Sequence, residues 1–301
     1  MKKKTLIRYA GGKTKAIDKI TPYIAGYDKI VSPFLGGGSL EVYWAGNLGK
    51  EVIGYDIFDI LVNFWKVLLE NPVELSEKMK EISPTSKEFI RIKEVLMTLD
   101  KTQEMLKDWS TSHYKREKTI TLDDITLAAY YYFNHNCSYG PGYLGWASSV
   151  YLNDKKWDKM TESVEKFSCP TLSVYNLPFE ESIRKHSSDF LYLDPPYFLE
   201  KDSDNKMHKG MYPMKNIDVH HTGFDHELLR DLLLAHEGDF VMSYNNCETI
   251  REYYKDFEFF YPEWSYSMGN GETRIGKNRN ELNKGKIVKE SHEILIVKRS
   301  K

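Results

Sequence analysis

The feature that most constrains the fold of this chain is a strand, a glycine loop and a helix, followed directly by a second strand and helix. The run Lys29–Pro33 contains β-branched residues and leads into a glycine cluster, after which a helical pattern begins near Ser39. A second apolar run, Glu51–Tyr55, ends in Asp56 and is followed by the helical pattern of residues 57–69. Strands and helices that alternate at this spacing predict a βαβ unit and therefore a parallel sheet.

The alternation is interrupted by a long stretch of different character and then returns. Residues 70–165 are predicted as helices rich in Lys and Glu, with an aromatic helix at Leu127–Phe133 and a loop rich in Gly, Tyr and Ser at Asn134–Val150. We therefore predict one α/β domain formed by residues 1–69 and 166–301, into which residues 70–165 are inserted as a mainly helical domain. The remaining predicted elements are the strands Thr171–Tyr175, Phe190–Leu193, Phe240–Ser243 and Glu293–Val297 and the helices Glu180–His186, Asp225–His236 and Glu248–Tyr254.

Composition excludes several classes of protein. Hydrophobic residues make up 41% of the sequence, which is enough for a packed core, and no apolar run approaches the roughly 18–20 residues of a membrane span. The segment Met-Lys-Lys-Lys at the start lacks the apolar run of a secretory signal. Cys137, Cys169 and Cys247 fit neither a zinc spacing nor a disulfide framework, so we expect a cytoplasmic protein. The formal net charge of −2 excludes a generally basic surface, so a nucleic-acid partner would have to meet local basic segments.

The strongest local signal is Asp194-Pro195-Pro196-Tyr197, which directly follows the apolar run Phe190–Leu193. Ligands of open α/β sheets gather at the carboxyl ends of the strands, where this tetrapeptide is predicted to lie. The prolines fix φ and remove backbone donors, so the turn is stiff and its carbonyl groups can accept hydrogen bonds. Such acceptors suit the activation of an adenine amine, because the lone pair of that nitrogen is delocalised into the ring. The Asp194 carboxylate and the Pro195 carbonyl would accept its two protons, and Tyr197 would stack on the base. A polar turn that only closes a strand is the alternative.

The second signal is the glycine loop at residues 33–39, which reads Pro-Phe-Leu-Gly-Gly-Gly-Ser. Glycine between a strand and a helix lets a ligand approach the backbone closely. The loop departs from the dinucleotide fingerprint Gly-x-Gly-x-x-Gly because Glu41 takes the place of the third glycine, which disfavours a nicotinamide cofactor. Asp56 ends the next strand, where an acid accepts hydrogen bonds from ribose hydroxyls. An ordinary acid at a strand end is the alternative.

The third signal is Tyr-Ala-Gly-Gly-Lys at residues 9–13, just before a helical run towards Ile24. Gly11 and Gly12 permit close approach of a ligand, and Lys13 can pair with a carboxylate such as that of a methionine moiety. The segment does not fit a phosphate loop, because the first glycine of a Walker sequence is missing and no strand precedes it. A lysine in the first turn of a helix is the alternative.

In this order, the three motifs resemble those of the Dam-type (D12 class, α-group) DNA adenine-N6 methyltransferases. The resemblance covers nearly the whole chain, including an inserted target-recognition region, the block Ser243–Asn246 and a terminal strand after an extended loop. It implies a Rossmann-like, S-adenosylmethionine-dependent methyltransferase sheet of seven strands with a reversed final hairpin. It also implies site-specific methylation of the N6 amine of a flipped adenine in double-stranded DNA, with residues 1–69 and 166–301 as the catalytic domain and residues 70–165 as the target-recognition domain.

The resemblance carries over to individual residues. As catalytic residues it implies Asp194, Pro195, Pro196 and Tyr197, and as cofactor-binding residues Tyr9, Gly11, Gly12, Lys13, Phe34, Gly36, Gly38, Ser39, Asp56 and Asp194. Family members often carry an acid directly after the strand that is predicted here at Thr171–Tyr175. This chain has Asn176 at that place, which either substitutes for the acid as a cofactor residue or leaves the cofactor adenine to be held differently.

The segment Asn134–Tyr143 resembles the part of the family that enters the DNA around the flipped base. Aromatic insertion offsets part of the few kcal/mol that unstacking costs. The alternative is that the tyrosines of this segment pack on the neighbouring aromatic helix. Residues 144–152 contain no Arg or Lys, the side chains that most often read guanine, so GATC is not predicted as the target. The expected DNA contacts are Asn134, Ser138, Tyr139 and Tyr143 and, in a basic stretch near the C-terminus, Arg274, Lys277 and Arg279.

Other functions stay open at this level. A non-catalytic DNA-binding protein on a methyltransferase scaffold would not bind S-adenosylmethionine. An amine methyltransferase acting on cytosine would usually carry Ser before the two prolines, and one acting on protein glutamine would usually carry Asn. An amine methyltransferase acting on RNA is a further alternative, and a Rossmann oxidoreductase would bind NAD. No metal is expected, because the adjacent His220 and His221 of a polar loop point apart. We expect a monomer or a weak dimer, and a cognate restriction endonuclease is a candidate partner because solitary and restriction-linked enzymes share these motifs.

Overall fold

The computed structural model describes residues 3–9, 11–99, 122–140, 142–198, 224–262, 265–266, 289–290 and 293–299. Its strands are β1 (Lys29–Ser32), β2 (Glu51–Asp56), β3 (Ser138–Tyr139), β4 (Trp146–Ala147), β5 (Leu172–Asn176), β6 (Leu191–Leu193), β7 (Phe240–Asn245), β8 (Glu258–Phe260), β9 (Ser265–Tyr266), β10 (Lys289–Glu290) and β11 (Glu293–Lys298). Its α-helices are α1 (Ile17–Ile20), α2 (Ser39–Leu48), α3 (Asp59–Glu70), α4 (Pro72–Lys80), α5 (Ser86–Leu99), α6 (Asp124–Asn136), α7 (Asp154–Glu165), α8 (Phe179–Lys185), α9 (His226–Ala235) and α10 (Glu248–Tyr253).

Seven of these strands form one sheet in the order β5-β2-β1-β6-β7-β11-β8. The strands from β5 to β7 run parallel, and β11 is antiparallel to both β7 and β8. The predicted Rossmann-like methyltransferase sheet with its reversed final hairpin is thereby confirmed. Because β11 is reversed, it begins at the edge where the parallel strands end. Its first residue, Glu293, lies opposite Asn245, the last residue of β7.

Helices cover both faces of the sheet, as the buried strands of a parallel sheet require. Neighbouring residues of one strand point to opposite faces, so Ile30 belongs to one hydrophobic core and Val31 to the other. The first core contains Trp65 of α3 and continues into Phe133 and Trp157 of α6 and α7. The second core lies beneath α8, α9 and α10. Within the described ranges, no helix has both the length and the apolar character that a membrane crossing requires.

The predicted insertion, residues 70–165, coincides with helix ends. Helix α3 ends at Glu70 and helix α7 at Glu165. Of the helices between these points, α4 and α6 pack on α3, α5 packs on α6, and α7 packs on α4. All four share the first hydrophobic core with the sheet. The two parts of the chain therefore share one hydrophobic core. Their separate roles, catalysis and target recognition, stay a prediction.

The aromatic helix α6 is longer than predicted and continues to Asn136 instead of ending at Phe133. The polar residues 134–136 suggested a loop, but all three are buried. Asn134 shows why the helix tolerates them, since its Oδ1 accepts the amide of Leu144 at 2.7 Å. Buried polar groups persist when tertiary hydrogen bonds satisfy them, which a local pattern cannot reveal. The segment after α6 is also not entirely a loop, because β3 and β4 pair within it as a short hairpin.

Candidate active site

A cleft of about 310 Å³ opens at the carboxyl edge of the parallel strands, near the ends of β1, β2 and β6. Its size is that of a small-molecule site. The cleft brings the three sequence motifs together, although they lie far apart along the chain. The motif residues that line it are Tyr9, Gly11, Gly12, Lys13, Phe34, Gly36, Gly38, Ser39, Asp56, Asp194, Pro195, Pro196 and Tyr197.

The glycine loop between β1 and α2 has a backbone that other residues would not adopt easily. Gly36 and Gly38 have φ angles of 47° and 59°, in the left-handed region that costs other L-residues about 1–2 kcal/mol. A Cβ added to Gly38 would lie 2.8 Å from the Trp65 ring, and one added to Gly37 would lie 2.4 Å from the Cβ of Tyr9. The loop therefore requires glycine, and its backbone forms part of the wall of the cleft.

Asp56 is held by the same loop. Its Oδ2 accepts the amide of Gly36 at 2.9 Å, and its Oδ1 accepts the amide of Phe58 at 2.9 Å. These bonds hold a carboxylate at the end of β2 and at the rim of the cleft. In doubly wound sheets, an acid at this place receives the hydroxyl groups of a ribose.

Asn176 lies at the carboxyl end of β5, as the sequence predicted, but outside the lining of the cleft. It is the last residue of β5 and pairs in register with Asp56 on β2. Its Nδ2 donates to the carbonyl groups of Asp56 and Ile57 at 2.9 and 3.0 Å, and it is not among the described residues that line the cleft. Asn176 therefore supports the turn after Asp56, and its direct contact with the cofactor stays a prediction.

One wall of the cleft is built of three phenylalanines. Phe34 stacks on Phe179 with ring centroids 5.6 Å apart, and Phe224 packs against them at 5.7 and 5.0 Å, respectively. Sequence reasoning identified only Phe34. The position of Phe179, shortly after the end of β5, could have identified it as a residue of the cleft, because residues that follow parallel strands lie at the ligand-binding edge of the sheet. Phe224 precedes α9 and had no comparable signal.

Lys13 is the centre of a buried network of charges. Its side chain is 5% exposed, and its Nζ lies 2.8 Å from Oδ1 of Asp194 and 3.7 Å from Oε1 of Glu293. It also donates to the Tyr197 hydroxyl at 3.0 Å and to the Gly11 carbonyl at 3.2 Å. One ammonium group therefore connects the N-terminal motif, the Asp-Pro-Pro-Tyr corner and the final strand. Sequence reasoning did not identify Glu293.

Burial controls the charge of the carboxyl groups around Lys13. Burial raises the pKa of Asp194 to about 6; Lys13 opposes this rise and Glu293 adds to it. Burial likewise raises the pKa of Glu41 on α2 to about 7, although Ser32 donates to its Oε1 at 2.7 Å. Asp194 is therefore a carboxylate, and an acceptor of hydrogen bonds on both oxygens, only above about pH 6.

The Asp-Pro-Pro-Tyr corner is anchored from the neighbouring strand β7. Oδ1 of Asn245 accepts the Phe198 amide at 2.9 Å, and Nδ2 of the same side chain donates to the Phe198 carbonyl at 2.9 Å. The ring of Tyr197 stacks on Tyr244, with centroids 6.1 Å apart. The block Ser243–Asn246, which the sequence showed as a family likeness, thus provides the physical support of the corner.

The family model described as D12 class N6 adenine-specific DNA methyltransferase matches residues 9–268. The match spans most of the chain and includes the three motifs that meet in the cleft. The chain belongs to this family. It is accordingly an enzyme that methylates the N6 amine of adenine in DNA at specific sites, and the family implies a reaction that depends on S-adenosylmethionine. None of the alternative functions considered from the sequence is favoured by this match.

Three of the DNA contacts expected for this D12 methyltransferase are buried beneath the hairpin of β3 and β4. Asn134 and Ser138 are fully buried, and Oγ of Ser138 accepts the amide of Gly142 at 3.1 Å. Tyr143 is 8% exposed and packs on Phe58 and on Tyr131 of α6, with ring centroids 5.0 and 5.8 Å apart, so the packing alternative holds for this tyrosine. These residues shape the hairpin from within, and their direct contact with DNA stays a prediction.

The outer surface of the hairpin is aromatic. Tyr139 and Trp146 pair across β3 and β4, and their exposed fractions are 58% and 79%. Nζ of Lys93 lies 5.2 Å from the Trp146 ring centroid and donates to the Gly145 carbonyl at 3.0 Å. Sequence reasoning selected Tyr139 but missed Trp146, although the sequence shows this tryptophan within a glycine-rich segment. The predicted contacts Arg274, Lys277 and Arg279 lie outside the described residues.

Proposed function

We propose that the cleft binds S-adenosylmethionine and that the corner Asp194–Tyr197 presents an extrahelical adenine of double-stranded DNA to its methyl group. The observation that carries the proposal is the meeting of Asp194, the glycine loop and Asp56 in one cleft at the carboxyl edge of the sheet. The cofactor supplies a methyl group on a positively charged sulfonium, whose neutral thioether is a good leaving group. The protein then has to align the acceptor nitrogen and exclude water.

The residues of the cleft fit this cofactor. Asp56 suits the ribose hydroxyls, and the phenylalanine wall of Phe34 and Phe179 suits a purine ring. The glycine loop permits the close backbone approach that the methionine end requires. The two carboxylates of Asp194 and Glu293 face one ammonium group, that of Lys13. Together these three side chains carry an excess of negative charge that complements a cationic ligand.

The corner residues act on the adenine in distinct ways. The Asp194 carboxylate accepts a hydrogen bond from one amine proton and the Pro195 carbonyl accepts one from the other. Both bonds draw the nitrogen towards a tetrahedral geometry and direct its lone pair at the methyl group. Pro196 keeps the turn rigid through its fixed φ. Tyr197, which is supported from behind by Tyr244, stacks on the base.

For DNA binding we propose that the hairpin of β3 and β4 enters the duplex where the adenine leaves it. Tyr139 and Trp146 provide exposed rings for stacking, and Lys93 provides a nearby cation for a phosphate. We also expect the basic residues Arg274, Lys277 and Arg279 of the C-terminal stretch to contact DNA. A monomer or weak dimer, cytoplasmic localisation and a cognate restriction endonuclease stay predictions.

The proposed function is tested by expressing the protein in a host that lacks DNA methylation and sequencing the host genome with a method that detects modified bases. We expect N6-methyladenine at one recurring sequence context, and none when Asp194 is replaced by alanine. Methylcytosine would contradict the proposal, and so would an unmodified genome from a stable, expressed protein that binds no S-adenosylmethionine. Calorimetry with S-adenosylmethionine then separates a non-catalytic DNA-binding protein, which releases no heat, from an enzyme without its correct DNA target.

Substitution of Tyr197 separates stacking from hydrogen bonding. We expect Tyr197→Ala to raise KM for DNA about tenfold, because stacking of a base on an aromatic ring contributes about 1–3 kcal/mol. Tyr197→Phe is expected to be milder, because it keeps the ring and loses only the hydroxyl that receives the 3.0 Å bond from Lys13. Steady-state kinetics with a DNA substrate give KM, and calorimetry gives the dissociation constant of the cofactor. Equal losses in the two variants would show that the hydroxyl, and not the ring, is the functional group.

A further inference from the structure

We propose that Glu293 is a positioning residue for methyl transfer, because it shares the ammonium group of Lys13 with Asp194 and thereby keeps the Asp194 carboxylate available to the target amine. The inference rests on the proposed function of the cleft, in which Asp194 is the hydrogen-bond acceptor. It assigns a role to the final strand of the sheet, which none of the three sequence motifs includes.

The geometry of the three charges requires such sharing. The Lys13 and Glu293 side chains are 5% and 6% exposed, whereas that of Asp194 is 24% exposed and reaches the cleft. Opposite charges attract more strongly when they are withdrawn from water. Lys13 lies 2.8 Å from Oδ1 of Asp194 and so already occupies one oxygen of that carboxylate, which leaves the second oxygen for the target amine. Without a second acid nearby, the whole charge of Lys13 would act on Asp194. Glu293, at 3.7 Å from the same Nζ, draws the ammonium group in another direction.

The direction of the last strand explains how Glu293 comes to this place. Because β11 runs antiparallel to β7, its first residue arrives at the edge where the parallel strands end, opposite Asn245. The residues that follow Glu293 are Ile294, Leu295 and Ile296, all fully buried. A buried acid at the head of an apolar strand is costly unless it is paired with a cation. Lys13 is the cation that pairs with Glu293. This pairing stabilises the buried Glu293 at a position from which its charge acts on Asp194.

The charged and titratable groups that face Asp194 determine whether loss of the Glu293 charge raises or lowers the pKa of Asp194. Besides Lys13 and Glu293, they include the buried phenol of Tyr192 and the carboxyl group of Glu41, both of which interact electrostatically with Asp194. Glu293 raises the pKa of Asp194, and Lys13 lowers it. Removing the charge of Glu293 therefore has two consequences. The pKa of Asp194 falls, and the hold of Lys13 on Asp194 tightens.

The test uses Glu293→Gln, which keeps the shape of the side chain and removes its charge. We expect kcat for DNA methylation to fall roughly tenfold well above the acid limb of the pH profile, because Lys13 then neutralises the acceptor carboxylate more completely. We also expect the acid limb to move to lower pH than in the parent, while the calorimetric dissociation constant of S-adenosylmethionine changes by less than about threefold. Glu293→Asp, which retains the charge, should keep the acid limb of the parent. Glu258→Gln makes the same change at an exposed position of β8, the strand beside β11, and should alter neither property.

A second measurement does not depend on activity. The carboxyl carbon of Asp194 is followed by NMR during a pH titration of the ligand-free parent and of Glu293→Gln, and the variant is expected to titrate at lower pH. An unchanged titration overturns the inference. A loss of activity with an unshifted acid limb also overturns it, because a purely structural role has that signature. A parent that shows the expected titration but does not methylate adenine would refute the proposed function while leaving the sharing of Lys13 intact.

Discussion

Replacement of Asp194 by alanine is expected to lower kcat for adenine methylation by about 10³-fold, the upper range for removal of a group that stabilises the transition state directly. The adenine amine is a poor nucleophile until its protons are drawn away from the plane of the ring. Asp194 supplies a carboxylate for this at the end of β6, 24% exposed and inside the cleft. We expect the affinity for S-adenosylmethionine to fall much less, because the glycine loop, Asp56 and the phenylalanine wall remain.

The fold should tolerate this substitution. Lys13 keeps Glu293 as a carboxylate partner at 3.7 Å, so the change does not leave a buried ammonium group without a counter-charge. Asp194→Asn serves as the matched variant, because it keeps the shape of the side chain and removes the negative charge. Single-turnover methylation and thermal unfolding should be measured on both. An alanine variant that methylates adenine at the parental rate would rule out the proposed role of Asp194.

Replacement of Gly38 by alanine is expected to weaken cofactor binding by about 10²-fold, because overpacking costs about 1–3 kcal/mol and every 1.4 kcal/mol is about tenfold in affinity. At a φ of 59°, alanine adopts a strained backbone, and its Cβ would lie 2.8 Å from the Trp65 ring. Trp65 is fully buried, and its Nε1 donates to the Gly36 carbonyl at 3.0 Å. The indole cannot yield without moving the loop that forms the wall of the cleft. Calorimetric titration with S-adenosylmethionine measures the loss.

Gly49→Ala is a control from the other end of the same helix. Gly49 also has a left-handed backbone, with φ 68°, but an added Cβ would meet nothing within 4 Å. The two variants therefore share the conformational cost of about 1–2 kcal/mol and differ in the collision with Trp65. We expect Gly49→Ala to lower the unfolding temperature slightly and to bind the cofactor like the parent. Equal cofactor affinities in the two variants would show that the loop adapts to the added methyl group.

Direct contacts join the insertion to the first motif. The ring of Tyr9 stacks on His135 of α6 with centroids 5.7 Å apart. The Arg8 guanidinium donates to the carbonyl of Asn136 at 2.7 Å, and Oδ1 of Asn136 accepts the amide of Arg8 at 2.9 Å. The hairpin of β3 and β4 begins just after Asn136. The segment proposed to enter the DNA therefore continues directly from residues that hold the cofactor motif in place.

The local parts of the enzyme could be predicted from the sequence. Three of these parts are contiguous patterns: a strand that ends in a glycine loop, an acid at the end of the next strand, and Asp-Pro-Pro-Tyr after a third strand. Each pattern depends on backbone geometry within a few residues. Asp56 and Asp194 could be placed at the ligand edge because parallel strands all end there. The order of helices and strands followed from the same periodic patterns, with boundaries that moved by a few residues, as at Asn136.

The distant side chains that complete the site could be identified only in the folded protein. Phe224, Asn245 and Glu293 follow no local rule that separates them from ordinary core or strand-end residues. Glu293 reaches Lys13 because the last strand is reversed, and strand direction results from the pairing of whole strands. Asn134 is buried because Leu144 folds back onto it. Sequence patterns indicate which face of a helix or strand is buried. The residues that contact each other across the core, and the ion pairs between them, depend on how the helices and strands pack.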